Sequence, residues 1–452
     1  MAKQLFGTDG IRGRAGETPL DPRTVTALGM ALAEDLTHQQ LAELPVLIGM
    51  DTRESGPAIA AQLADGLGRG VNNTGVRVEF AGVLTTPGVA YLTRTGAYSA
   101  GVMISASHNP FEDNGIKIFA RTGFKLPDAE EHEVEEAIFR LLPDVGAQKQ
   151  PDALTPSSST RPYLDFLLST LVASRPLAGL KIVMDCGNGA ASALAPDLFR
   201  EAGAHVTAIC NHPNGRNINL NCGALHLESL RAQVVECGAD AGVAFDGDAD
   251  RAMLIAPSGR IVDGDAMLLI AARRMQADGH LPGDLVISTV MSNLGLEKAL
   301  EALGITMLRT PVGDKYVLEE MVRREAALGG EQSGHIIFRE YATTGDGMLT
   351  ALKVLETAVR AGKTLDELSA DLVVYPQLLV NVRVKERRPL AELPRVTEEI
   401  QACEAELNGS GRILVRYSGT EPLLRVMVEG LEHGQVQRLA DRVKVAIHAD
   451  LG

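Results

Sequence analysis

What most limits the fold of this chain is a recurring order: a short apolar run, a turn of small residues, a stretch with helical spacing, and another apolar run. PVLIGMD leads into GPAIAAQLADGLGRG and is followed by VRVEF and AGVMISA. LKIVMDCGNGAASALAPDLFREAGAHVTAIC repeats the order and ends, one helix later, in AGVAFDGDADR; DLVISTVMSNLGLEKALEALGITMLR repeats it again. Strands alternating with helices predict mostly parallel sheets, and the recurrence predicts related units of about a hundred residues. A polar, proline-punctuated stretch from Pro143 to Pro162 reads as a linker. After Asp371 the character changes, and RILVRYSGTEPLLRVMVEG alternates like a hairpin, which fits a smaller α+β unit. The expected fold class is α/β, with mixed, mostly parallel domains at 1–156, 157–254 and 255–370 and an α+β domain at 371–452.

A net charge of −15 argues against nucleic acid or an anionic membrane as partner, since either would repel the chain at long range. An anionic ligand then needs clustered arginines. No basic-then-apolar signal segment opens the chain, and no apolar run approaches the roughly 18 residues that would span a bilayer. The five cysteines include no C-x-x-C pair and are odd in number, which fits reduced thiols and a cytoplasmic protein.

The residues with chemical potential share one kind of position. Ser107, the cluster from Asp246 to Asp250 and the loop from Glu331 to His335 each follow an apolar strand, and ligands of open parallel sheets bind at the carboxyl ends of strands. One cleft would collect them. In Asp246-Gly247-Asp248-Ala249-Asp250-Arg251, alternate carboxylates around small residues can converge on a hard cation; Mg²⁺, which leaves positions open for a phosphate oxygen, is the expected ion. A solvated acidic turn is the plainer account, but three crowded carboxylates with only Arg251 beside them would repel one another.

Ser107 stands in ISASHNPFEDNGIKIF. A helix cap is disfavoured by Asn109-Pro110, and a hydrolase elbow would need G-x-S-x-G. A serine facing a metal and a phosphorylated ligand is suited to carry phosphate itself, with His108 and Lys117 close in sequence. Gly330-Glu331-Gln332-Ser333-Gly334-His335 offers acceptors and a hydroxyl on a loop that can approach vicinal hydroxyls, although a structural turn has the same composition. Arg416-Tyr417-Ser418-Gly419-Thr420-Glu421-Pro422 is a hairpin turn able to hold a phosphate, with Arg416 and Arg425 as charge partners; a plain polar turn is the alternative. Arg12, in GTDGIRG, either reaches into the cleft or pairs with Asp9.

Taken in this order, GTDGIRG, ISASHNPFEDNGIKIF, DGDADR, GGEQSGH and SGTEPLLRVMVEG resemble the α-D-phosphohexomutase superfamily over essentially the whole chain, and its glucosamine branch most closely. The resemblance implies four domains around a central cleft and an isomerase that interconverts glucosamine 6-phosphate and glucosamine 1-phosphate, on the route to UDP-N-acetylglucosamine. Glucosamine 1,6-bisphosphate would be the intermediate and activator. It makes Ser107 the phosphoserine and a metal ligand with Asp246, Asp248 and Asp250. It places Arg251 and Arg12 by the transferring phosphoryl group and His108 and Lys117 in proton transfer or phosphate contact. Glu331, Ser333 and His335 would bind the sugar, and Arg416, Ser418, Gly419, Thr420 and Arg425 the phosphate that does not react. A homodimer is also implied. The alternatives are a glucose or mannose phosphate mutase of the same superfamily, a phosphatase with Asp246 as nucleophile, and a sugar-phosphate sensor without turnover.

Overall fold

The computed structural model describes residues 4–7, 9–71, 75–146, 151–417 and 423–452. The chain divides into two compact units, one of Met1–Val290 with Met307–Ser369 and one of Met291–Thr306 with Ala370–Gly452.

In the first unit the expected rhythm becomes three sheets with flanking helices. The first sheet runs Phe6–Gly7, Gly10–Arg14, Asp113–Ala120, Ala100–Ile104, Val46–Met50, Val78–Val83. Its three βα strands pair in parallel, whereas Asp113–Ala120 and Gly10–Arg14 add antiparallel edges. The second sheet runs Ile261–Val262, Ala252–Ile255, Ala241–Phe245, Lys181–Asp185, His205–Ile209, again parallel in the βα strands and antiparallel at the edge. In the third, Leu285–Thr289 lies parallel to Leu328–Gly330, which turns back through Ile336–Phe338.

Local chemistry starts the helices where the sequence marks them. Asp21 caps Pro22–His38 by accepting from the Arg23 and Thr24 N–H groups, with proline at the first turn where its missing N–H costs nothing. That helix crosses Gly56–Arg69 so closely that a Cβ on Gly66 would lie 2.2 Å from the Thr26 carbonyl oxygen. The buried faces of both helices join strand residues such as Val46, Ile48, Val102 and Ile104 in one core.

The second unit is an antiparallel sheet, Gln377–Arg383, Leu423–Gly430, Gly411–Tyr417, packed under helices Pro394–Leu407 and His433–Leu451. Helix Leu294–Glu301 belongs to it: Glu429 accepts from the Leu294 N–H at 2.9 Å, and Asn293 exchanges hydrogen bonds with the Tyr375 backbone. No helix among the described residues is long and apolar enough to cross a membrane.

Candidate active site

Strand Ala100–Ile104 ends three residues before Ser107, and a buried network shapes the chain between them. The Ser107 N–H donates to Ser105 Oγ at 2.9 Å, and Ser105 Oγ donates to Asp51 Oδ2 at 2.5 Å. Arg53, 1% exposed, pairs with Asp51 and donates to the carbonyls of Ser107, Asn109 and Asp113 at 3.2, 2.6 and 2.8 Å. Asn219 Nδ2 donates to two of the same carbonyls, Ser107 at 2.9 Å and Asn109 at 3.2 Å. So many fixed carbonyls hold Ser107 at a φ of 53°, a left-handed conformation that a serine adopts only when its surroundings impose it. Its hydroxyl then donates to Asp246 Oδ2 at 2.6 Å and lies 3.3 Å from His108 Nδ1.

Strand Ala241–Phe245 delivers the acidic loop to the same place. Gly247 permits the approach, since a Cβ there would sit 2.5 Å from the Ser107 carbonyl oxygen. One oxygen from each of Asp246, Asp248 and Asp250 lies within 4.8 Å of the others, and all three residues are buried. Oδ1 of Asp248 and Oδ1 of Asp250 are buried without a hydrogen-bond partner, as expected of acceptors aimed at a cation. Burial, then the neighbouring charges of Asp250 and Asp248, push the Asp246 carboxyl well above the usual range; a bound cation would offset these effects and favour the carboxylate. This donor set fits a hard divalent ion.

Cationic groups surround the triad. Lys117 Nζ, fully buried, contacts Asp248 at 2.9 Å, Asp9 at 3.1 Å and Asp250 at 3.3 Å. Burial acts to lower its pKa, but the carboxylates of Asp248, Asp9 and Asp250 outweigh it and hold the ammonium well above the ordinary lysine range. Burial and then Arg251 and Arg12 depress His108 to about 4, so its imidazole is neutral at physiological pH. Arg251 donates its N–H to Asp246 Oδ1 at 3.2 Å and brings its guanidinium 3.4 Å from His108 Nδ1. Arg12 pairs with Asp9, which Lys125 also holds. Thr86 donates its hydroxyl to Asp248 Oδ2 at 2.5 Å and its N–H to the Asp248 carbonyl at 3.0 Å.

The third predicted loop joins the same site. The Ala252 N–H donates to the Gly334 carbonyl at 3.2 Å, tying it to the residue after Arg251. Glu331 accepts from the Gly313 N–H at 3.2 Å and from Ser333 Oγ at 3.3 Å. His335 is buried beneath the loop; its Nε2 accepts the Gly345 N–H at 2.9 Å and its Nδ1 is 3.6 Å from Asp250 Oδ2. Of the predicted phosphate loop, Ser418, Gly419 and Thr420 lie outside the described residues. Arg416 and Arg425 are cross-strand partners in the second unit. Burial and then Arg425 lower the Arg416 pKa from its ordinary value, so two like charges held opposite one another would gain from an anion between them.

Arg53, Asp51, Asn219 and Thr86 were not singled out in the sequence. Their only signal is position: Asp51 and Arg53 follow strand Val46–Met50 as Ser107 follows its own.

Matches to known domains cover the chain in order. Phosphoglucomutase/phosphomannomutase alpha/beta/alpha domains I, II and III match residues 3–143, 161–259 and 263–375, and the C-terminal domain of that family matches 379–445. The chain belongs to the phosphoglucomutase/phosphomannomutase family. The expected four-domain α/β fold is therefore present. A phosphoglucosamine mutase of Solibacter usitatus is 58% identical over the full length of both chains, and one of Koribacter versatilis is 50% identical over all of this chain and 98% of its own. Among solved structures, a phosphoglucomutase/phosphomannomutase family protein of Burkholderia thailandensis superposes with a TM-score of 0.79 at 23% identity, covering 99% of this chain and 97% of its own. An N-acetylphosphoglucosamine mutase of Aspergillus fumigatus, in complex with GlcNAc-6P and magnesium, gives 0.67 at 18% identity, covering 99% and 96%. At such identities these two show the fold.

Proposed function

We propose that this enzyme, an isomerase acting by phosphoryl transfer, interconverts glucosamine 6-phosphate and glucosamine 1-phosphate through a phosphorylated Ser107 and a glucosamine 1,6-bisphosphate intermediate. The observation that carries it is the Ser107 hydroxyl held 2.6 Å from the acidic triad in a chain whose full-length relatives bear the name phosphoglucosamine mutase. The four domains are proposed at 1–156, 157–254, 255–370 and 371–452, supported by the family matches, which run a few residues past 254 and 370.

Asp246, Asp248 and Asp250 would hold Mg²⁺ together with a phosphoserine oxygen. Bound there, the ion supplies neutralisation of the charge on the transferring phosphoryl group. The chain's own residues do the rest. A sugar hydroxyl attacks phosphorus, the Ser107 Oγ–P bond breaks, and the proton of the attacking hydroxyl is transferred to the departing Ser107 Oγ, giving bisphosphate and free serine. In the second half, Ser107 Oγ attacks the other phosphate of the bisphosphate after it has turned over, the sugar O–P bond breaks, and the serine proton passes by way of His108 Nδ1, neutral and 3.3 Å away, to the departing sugar oxygen. Lys117, Arg12 and Arg251 supply fixed positive charge where three phosphoryl oxygens spread theirs. Glu331 and Ser333 would hold sugar hydroxyls, and His335 would support that loop and Asp250 from beneath. Arg416 and Arg425, with Ser418, Gly419 and Thr420, would bind the phosphate that does not react.

Ser107→Ala is expected to abolish turnover while leaving sugar-phosphate binding largely intact; an active Ser107→Ala enzyme would refute the mechanism. Side-by-side kcat/KM for glucosamine, glucose and mannose 1-phosphates, with Mg²⁺ and a trace of bisphosphate, tests the sugar, and a preference for glucose or mannose would overturn the amino-sugar assignment.

A further inference from the structure

We propose that Asp185, Cys210 and Cys222 form a second metal site, for a thiophilic divalent cation of the zinc class. Asp185 ends strand Lys181–Asp185, and Cys210 follows the neighbouring parallel strand His205–Ile209, whose last residue pairs with Asp185. Cys222 returns to the same strand end just before the turn Gly223–Leu225. One carboxylate oxygen and both sulfurs lie within 4.8 Å of one another.

A second observation points to a ligand. Asp185 is fully buried; its Oδ1 accepts the Gly187 N–H at 2.8 Å, its Oδ2, equally buried, has no hydrogen-bond partner of normal geometry among the described residues, and the other donors that face the carboxylate are the Gly223 N–H and the Cys210 thiol. A buried carboxylate whose only side-chain donor among the described residues is a thiol, a weak donor whose proton a metal would replace, is an acceptor suited to a cation. Two sulfurs and one oxygen suit zinc-like ions, whereas Mg²⁺ requires oxygen donors, so ligand softness would sort the two ions between this cluster and the aspartate triad. Cys222 is buried and Cys210 partly exposed, which leaves a solvent side for entry and for water as fourth ligand. On binding, each thiol releases one proton to solvent and no electrons move.

The consequence reaches Ser107. The segment between the two cysteines carries Asn219, which donates to the Ser107 and Asn109 carbonyls, and Gly215, whose carbonyl takes the Glu54 N–H at 3.0 Å. An ion tying both ends of this loop to one strand end would clamp the underside of the serine loop.

Full-length protein stripped with EDTA and resupplied with saturating Mg²⁺ is titrated with Cd²⁺. The expected result is one equivalent bound with a thiolate-to-cadmium ultraviolet band, displaced by Zn²⁺, lost in Cys210→Ala and Cys222→Ser, and retained in Asp246→Asn and Cys237→Ser. Because a buried cysteine variant can fail to fold, alkylation of Cys210 in the unaltered chain is the second reading, and stoichiometric Zn²⁺ should slow it. The site is overturned by absence of the band, by a band that survives both cysteine changes, by alkylation indifferent to Zn²⁺, or by a Cys210–Cys222 disulfide in protein isolated without reductant. None of these readings depends on which sugar the enzyme isomerises.

Discussion

Arg53 shows how a residue without chemistry of its own sets the position of one that has it. Its guanidinium is fully buried, and its donors go to Asp51 and to three carbonyls around Ser107. A planar fork can reach all of these at once, and a lysine ammonium cannot. Arg53→Lys is therefore expected to lower kcat by about a hundredfold with little change in KM, because misplacing the nucleophile affects the reacting geometry more than ground-state binding. Separate determination of kcat and KM on variant protein with an unaltered far-UV spectrum checks this; an unchanged kcat would remove Arg53 from the account. Ser107, the three aspartates and Glu331 were legible in sequence because each sits among small residues just past an apolar strand. Arg53, Asn219 and Thr86 were not, because, apart from Asp51 beside Arg53, their partners are carbonyls and carboxylates far along the chain.

At the scale of elements, helix Gly347–Ala361 begins on a buried aspartate. Asp346 accepts the Leu349 N–H at 2.9 Å and the Tyr163 hydroxyl at 2.8 Å, yet burial raises its pKa from 3.8 to about 6. With the folded value above the unfolded one, its contribution to stability is fully present below about pH 3.8 and is lost as pH rises through about 6. Asp346→Asn keeps a capping oxygen and removes the buried charge. Relative to the natural chain, the variant should gain stability between acid and neutral pH by up to about 3 kcal/mol. Denaturant melts across that range check it, and a difference that does not vary with pH would show an ordinary carboxyl. Capped starts such as Asp21-Pro22 could be read from sequence, since cap and helix are adjacent. The antiparallel edges Asp113–Ala120 and Ala252–Ile255 could not, because apolar alternation is the same in either pairing direction.

For the molecule as a whole, the instructive residue is Glu429. It is fully buried, accepts the Leu294 N–H and pairs with Arg412 at 2.5 Å, and Arg412 donates to the Ser292 carbonyl at 2.6 Å. Two stretches far apart in sequence thus become one unit. Glu429→Ala is expected to destabilise that unit by roughly 3 kcal/mol, the lower end for stranding one member of a buried pair, because Arg412 keeps some solvent. Hydrogen exchange should quicken across 291–306 and stay unchanged around Ser107; equal protection in both proteins would refute the coupling. The strand and helix rhythm, the loops that carry chemistry and the family they imply are legible along the chain, since these rest on local periodicity and on residue types at fixed short spacings. Folding across long sequence distances is what joins helix Leu294–Glu301 to the C-terminal sheet, brings Arg53 and Asn219 to the serine loop, and sets Asp185 beside two cysteines. Those meetings bring together segments distant in sequence, and such contacts leave no periodic trace in the chain that makes them.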